Sequence, residues 1–185
     1  SIKTKVKAEV LKEGSIVIDS KIFSEIIRKL PNSDVKIEIS ENDLVQISCE
    51  KSVFNVVFMN AADYPSLPSI NEELSVEVPQ NLLKNMIKGT SFAIAQDEAR
   101  PILQGILFEV KDKELNLVAL DGYRLAVRSE LLDAYDNIEV VIPGKTLSEV
   151  NKILQDSFDH IKIGIAKNQA LFEMENCKIV TRILD

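Results

Sequence analysis

Residues 16–40 read IVIDSKIFSEIIRKLPNSDVKIEIS, and residues 140–166 read VVIPGKTLSEVNKILQDSFDHIKIGIA. The order is the same in both: an apolar strand, a turn, a lysine, a helix with Ser-Glu at its middle, then a strand of alternating isoleucines. The helical portions align without gaps. Residues 76–89, VEVPQNLLKNMIKG, begin a third copy in the same way. A repeat at this spacing implies a strand–helix–strands unit used about three times. One unit has one apolar helix face and one apolar sheet face. Two units side by side cover each other's edges and make one α+β domain.

The local patterns agree. Phe23, Ile26, Ile27 and Leu30 fall at i, i+3, i+4 and i+7, which predicts a helix over 21–30. Asp19 or Ser20 is placed to cap it and Pro31 to stop it. Leu82, Leu83, Met86 and Ile87 predict a second helix over 80–89, opened by Pro79 and closed by Gly89. Leu147, Val150 and Leu154 predict a third over 145–154, after Pro143. Alternating stretches at 35–39, 44–49, 105–110, 115–120, 138–142, 161–165 and 170–174 read as half-buried strands. Asn42-Asp43 and Asp121-Gly122 are turn signals between them. No glycine-rich phosphate loop follows a strand, which argues against a doubly wound sheet. The expected fold is therefore α+β, with helices on one face of antiparallel sheets.

Residues 60–74, NAADYPSLPSINEEL, carry two prolines and no alternation, and read as a connector. One unit precedes it and two follow. The odd count suggests a piece of a longer protein, with half a domain ahead of the connector and a whole domain behind it.

Composition narrows the function classes. The chain has 185 residues, 22 Lys+Arg against 29 Asp+Glu, a net charge of −7 and 45% hydrophobic residues. That apolar share supports a core. No apolar run approaches the roughly 18 residues of a membrane span, and SIKTKVKAEV at the start lacks a signal peptide's apolar stretch. Two cysteines and one histidine are too few for a zinc cluster. Cys49 and Cys177 sit in alternating stretches of two matching units, as equivalent buried thiols rather than a disulfide, and a reducing cytoplasm is the simplest compartment. His160 lacks a partner at catalytic spacing, and pairs such as Asp97/Glu98 and Glu72/Glu73 read as solvated loops. No metal and no cofactor is expected.

Acidity argues against gripping nucleic acid over the whole surface. The charge is segregated, however. The solvent faces of the three helices carry Lys21, Arg28, Lys29, Lys84, Lys88, Lys145 and Lys152 against Glu25 and Glu149. Lysines are good helix formers on any exposed face. They also make a basic wall for a polyanion if the repeated helices face one way. Trp is absent and no aromatic stripe accompanies the lysines, so single-strand stacking is not suggested. With few arginines there, base readout is not suggested either. What remains is sequence-blind phosphate contact.

RPILQGILFE (100–109) followed by LVALDGYRLAV (117–127) resembles the sliding-clamp, or β-subunit, family of bacterial DNA polymerase III. AADYP at 61–65, VIP at 141–143 and TRILD at 181–185 extend the resemblance over essentially the whole chain. It implies a fold of three two-unit domains per chain, closed by head-to-tail dimerisation into a ring lined by helices. Residues 1–68 then correspond to the second half of the first domain and 69–185 to the second domain, with the third absent. The implied function is that of a non-catalytic processivity factor encircling double-stranded DNA without regard to sequence.

The resemblance further implies a shallow pocket for short peptides, at Leu103, Leu120, Gly122, Tyr123, Arg124 and Leu125. Its expected users are the DNA polymerase III alpha subunit and clamp-loader subunits. The bland alternative is a type I′ hairpin at Asp121-Gly122 with the leucines in the core. Expected DNA-facing residues are Lys84, Lys88, Lys145, Lys152, Lys21 and Arg28. The acidic Gln96–Glu98 loop weakens a phosphate contact near Arg100, which reads equally well as a loop anchor. A competing reading is a peptide-binding scaffold that never touches DNA. The half-domain should expose a sheet edge and an apolar helix face, and either pair with a second copy or be marginally ordered.

Overall fold

The computed structural model describes residues 1–40, 43–65, 70–97, 99–134 and 136–185. Asn42, half of one expected turn, and the 68/69 boundary lie outside them. The chain forms two compact units, Ala8–Leu67 and a larger one that joins Ser1–Lys7 to Pro68–Asp185.

In the smaller unit a short pair, β2 (Ile16–Val17) and β6 (Met59–Asn60), accompanies α1 (Ser20–Lys29) and a three-stranded meander of β3 (Lys36–Ser40), β4 (Leu44–Cys49) and β5 (Ser52–Val57). Asp19 caps α1 as expected. Its Oδ1 accepts the backbone N–H groups of Lys21 and Ile22 at 2.9 and 3.0 Å. Arg28 and Lys29 sit in the last turn, where the helix dipole favours cations. The core is small: Ile26, Val45, Ile47 and Val56, with Phe23, Leu30, Phe54 and Phe58 partly covered. Ile37 and Ile39 stand opposite Ile47 and Val45, hence on the same sheet face, yet remain 49% and 54% exposed. Ile22 and Ile27 of α1 are exposed too. The sheet and helix of this unit thus leave apolar surface open.

The larger unit contains two sequence repeats that exchange their leading strands. One repeat is β7 (Leu74–Pro79), α2 (Gln80–Thr90), β8 (Gly105–Lys111), β9 (Glu114–Leu120) and β10 (Leu125–Leu131). The other is β11 (Ile138–Pro143), α3 (Gly144–Ile153), β12 (His160–Ala166), β13 (Gln169–Met174) and β14 (Cys177–Arg182). β11 pairs with β8 of the other repeat, giving a sheet ordered β10-β9-β8-β11. β7 pairs with β12, giving β1-β14-β13-β12-β7. All pairings are antiparallel. One core draws on both sheets and both helices, with Phe108, Phe172, Leu83, Ile106, Leu117 and Leu147 almost wholly buried. Each such side chain contributes about 1.5–3 kcal/mol on burial.

Two details differ from the sequence expectations. β1 (Ile2–Thr4) pairs with β14 through Ile2↔Ile179 and Lys3↔Lys178, so the first residues extend the larger unit's sheet rather than the smaller unit's. Alternation in IKTKV licenses a strand there, but nothing local names its partner. Cys49 and Cys177 are both buried free thiols, as expected, but their positions are not equivalent. Cys49 ends the second strand of the β3–β4–β5 meander, opposite Ser52, whereas Cys177 begins the third strand of the β12–β13–β14 meander, opposite Met174. Burial pushes the Cys177 thiol above its ordinary value, the direction of an inert structural thiol.

Neither α2 nor α3 has a side-chain cap; Pro79 and Pro143 occupy that position. The first N–H groups of α2 are met by the segment after α3. Gln80 donates its backbone N–H to the Asp159 carbonyl and Asn81 to that of Ser157, at 2.9 and 3.0 Å. Gln80 Oε1 accepts from the Gln155 backbone at 3.0 Å. The start of one helix is thereby tied to the end of the other, and both helices sit side by side on the core.

Candidate nucleic-acid and peptide interface

The β9–β10 hairpin is built by Asp121. Its Oδ1 accepts the backbone N–H groups of Tyr123 (2.9 Å) and Arg124 (3.1 Å), and its Oδ2 accepts the Arg124 Nε at 2.8 Å. The Tyr123 N–H is the main reason the Asp121 carboxyl is held below the usual range; the Arg124 backbone and guanidinium add to it against partial burial. Gly122 has φ +94°, in the region that favours glycine. A type I′ turn needs two such residues, and Tyr123 is not one. The side-chain-capped loop thus rules out the I′ geometry of the bland alternative. A type I′ pair occurs instead at Asp112-Lys113, φ 51° and 65°, between β8 and β9, where no glycine marked it.

The loop puts Tyr123 fully into solvent. Leu120 and Leu125 stand directly opposite each other on the outer face of the sheet, both exposed, while Ala119 and Ala126 turn inward. Leu120 and Leu125 are therefore surface residues. Leu117 is core. Leu103 lies half-buried on the 3-10 turn Pro101–Gln104, tied through its carbonyl to the Ala95 N–H and through its N–H to the Arg100 carbonyl, both at 3.0 Å. Arg100 is exposed, and its guanidinium lies near Gly122. The Arg124 guanidinium stands 6.0 Å from the centre of the Phe92 ring, which is itself exposed. Phe92 thus joins the apolar surface. Sequence reading passed over it because it follows α2 at the Ser91–Ala93 turn, outside any periodic stripe.

The helix cations divide. Lys88 and Lys145 are exposed and make no ion pair among the described residues. Lys152 is exposed and pairs with Glu149 at 2.7 Å. In the smaller unit Lys21 and Arg28 are exposed on α1. Lys84 differs from the expectation of a free helix-face lysine. It is half-buried, and its Nζ donates to the Leu154 carbonyl at 2.6 Å, joining α2 to the end of α3. An orphan carbonyl at a helix end attracts a nearby ammonium, and helix periodicity cannot reveal that neighbour. A concavity of about 630 Å³ lies between β1, α3 and β14, lined by Ser1, Lys145, Thr146, Glu149 and Arg182. It is distinct from the hairpin, which presents an open apolar surface.

Among the described residues no cluster of His, Cys, Asp and Glu is arranged to hold a metal, and no helix is long and apolar enough to cross a membrane.

Comparison with known proteins gives a concordant result. Residues 1–68 match the family described as DNA polymerase III beta subunit, N-terminal domain, and residues 77–185 match its central domain. A beta sliding clamp of Bacillus subtilis is 42% identical over 174 residues, which is 93% of this chain and 46% of that protein. One from Halalkalibacterium halodurans is 38% identical over 181 residues, 96% of this chain and 48% of that protein. The crystal structure of the DNA polymerase sliding clamp from Bacillus subtilis superposes with a TM-score of 0.89 at 40% identity, covering 100% of this chain and 51% of that one. The chain spans about half the length of the curated relatives it matches.

Proposed function

This chain belongs to the DNA polymerase III beta subunit family, and on that premise we propose that the protein it forms part of is a sliding clamp. It encircles duplex DNA as a homodimeric ring and tethers the replicative polymerase. It is a non-catalytic component and works in the cytoplasm. The observation that carries this reading is the placement of α2 and α3 side by side with Lys88, Lys145 and Lys152 exposed on a protein of net charge −7. Lysines on mobile stems give phosphate contacts of nearly equal energy at every register, because counterion release is indifferent to sequence. A particle acidic elsewhere has little affinity for DNA outside the ring. Lys21 and Arg28 of α1 are assigned to phosphate contact in the same reading. Lys84 contributes by holding α2 to α3.

The peptide site is assigned to Leu103, Leu120, Gly122, Tyr123, Arg124 and Leu125. Each apolar peptide side chain that buries itself there gains about 2 kcal/mol, and Arg124 is available to a carboxylate on the peptide. The users are short motifs of the polymerase alpha subunit and of clamp-loader subunits.

The test uses the whole protein, loaded by its own loader onto nicked circular DNA. Retention on the circle with loss after linearisation supports encirclement. Equal retention on both forms means ordinary surface binding and overturns it. Peptide binding with no DNA retention on either form, the loading reaction being independently shown competent, supports the scaffold reading, which the exposed Tyr123 hairpin favours.

A further inference from the structure

We infer that Arg128 and Lys88 form a phosphate-binding notch on the helix side of the larger unit, giving the duplex backbone a contact that the helix lysines alone do not provide. This rests on the clamp reading above.

Arg128 occupies an inward position. On β10 the residues on the helix side of the sheet are Ala126, Arg128 and Glu130; Ala126 and the three β9 partners, Ala119, Leu117 and Leu115, are buried, while Arg128 and Glu130 at the sheet's edge are exposed. An arginine at the second of these positions would ordinarily strike the helix covering the sheet. Here α2 has Gly89 at that point. A Cβ added to Gly89 would lie 2.6 Å from Arg128 Nε and 3.1 Å from its Cγ. The arginine stem therefore runs across bare helix backbone, in a position that a Cβ at 89 would push it out of, and its guanidinium emerges beside the helix's solvent face. Glycine is a poor helix residue, and the close approach is what this one makes possible.

The guanidinium does not emerge into a matched ion pair. It borders a concavity of about 480 Å³ shared with Asn85, Met86, Lys88, Gly89 and Glu130. Neither Arg128 nor Lys88 makes an ion pair among the described residues. Glu130 lines the same concavity without pairing with either. Two cations and one carboxylate leave the notch net positive, and Asn85 adds a neutral amide. A planar guanidinium fork beside an ammonium point charge is a good arrangement for the two free oxygens of a phosphodiester. Because both cations read only the backbone, the contact is sequence-blind.

The test compares Arg128→Gln and Gly89→Ala with the parent in the whole protein, titrating duplex DNA over a series of salt concentrations. Lys145→Glu is the benchmark for the clamp reading, and Lys111→Gln, at the far turn of β8, is the neutral control. Arg128→Gln should lower the log–log salt slope by about one and weaken binding uniformly across sequences. Gly89→Ala should do the same while Arg128 is still present, because the new methyl displaces it. Alanine is the better helix former, so this loss cannot be blamed on unfolding; a circular-dichroism melt at or above the parent's confirms it. Slopes unchanged in both variants, with Lys145→Glu impaired, overturn the notch and leave the clamp reading standing. Unchanged slopes for all three, with no dependence on circular DNA, overturn both. Self-association of Arg128→Gln with an unchanged slope assigns the arginine to protecting the β10 edge and also overturns the notch.

Discussion

The two units are made from the same repeat but differ in how well it is closed. In the larger unit two copies exchange leading strands, and the apolar faces of both helices meet the inner faces of both sheets in one core. In the smaller unit a single copy has one helix over a three-stranded sheet, and Ile37 and Ile39, on the sheet face that carries the core, are left about half exposed. The same alternating isoleucines, in DVKIEIS and in DHIKIGIA, are half-exposed in one unit and buried in the other: Ile161 and Ile163 of β12 are wholly covered. Pattern decides which way a side chain points. Whether it is buried depends on a second unit being present.

The largest effect should come from the closed core. Phe108→Ala should cost the larger unit about 3–5 kcal/mol, measured by urea denaturation. Amide exchange in β4 should be unaffected by that substitution. Equal acceleration in β4 would mean that the units unfold as one body, and the contrast would fail. Next comes the stitch between helices. Lys84→Met keeps the aliphatic stem but removes the donor to the Leu154 carbonyl. It should cost about 1.5 kcal/mol, the low end for a hydrogen bond to a charged group, because the ammonium is only half-buried. A neutral result there would return Lys84 to the free helix-face lysines.

The hairpin should respond to pH in one direction. The Asp121 carboxyl is held below the usual carboxylate range by the N–H groups that it accepts, so the folded loop favours the ionised form. Its stabilisation is complete above the ordinary carboxylate range, declines as pH falls through that range, and is gone once pH has passed below the lowered folded value. Tyr123 amide protection, corrected for intrinsic exchange, should be flat from pH 7 to about pH 5 and fall in more acidic solution. Asp121→Asn should remove that dependence. The smallest effect belongs to the open face of the smaller unit. Ile39→Ser should change stability by no more than about 0.5 kcal/mol, whereas the same change at Ile163 should be severe. A large loss at Ile39 would show that another surface covers it in solution.

Much of this was legible in the sequence. The three helices, the DGYRLA turn and most strands followed from period and punctuation, and Asp19 was readable as a cap. What escaped has a common cause. The exchange of β7 and β11, the pairing of β1 with β14, the Lys84 bond to Leu154 and the crossing of Arg128 over Gly89 all depend on residues distant in sequence. Periodicity reports the face of an element, never its neighbour. Asp112-Lys113 escaped for another reason: two non-glycine residues adopt positive φ there, against the usual preference.

The exchange of leading strands also sets a timetable. β7 emerges from the ribosome early in the larger unit, but its hydrogen-bonding partner β12 does not begin until His160. Until then Val76 and Val78 have no strand beside them, and the apolar face of α2 has only half of its eventual cover. Long-range pairing of this kind folds slowly and leaves sticky intermediates. A nascent chain paused before residue 160 would therefore be a natural client for a chaperone, and a nonsense mutation there should yield a fragment that is degraded rather than a smaller folded domain.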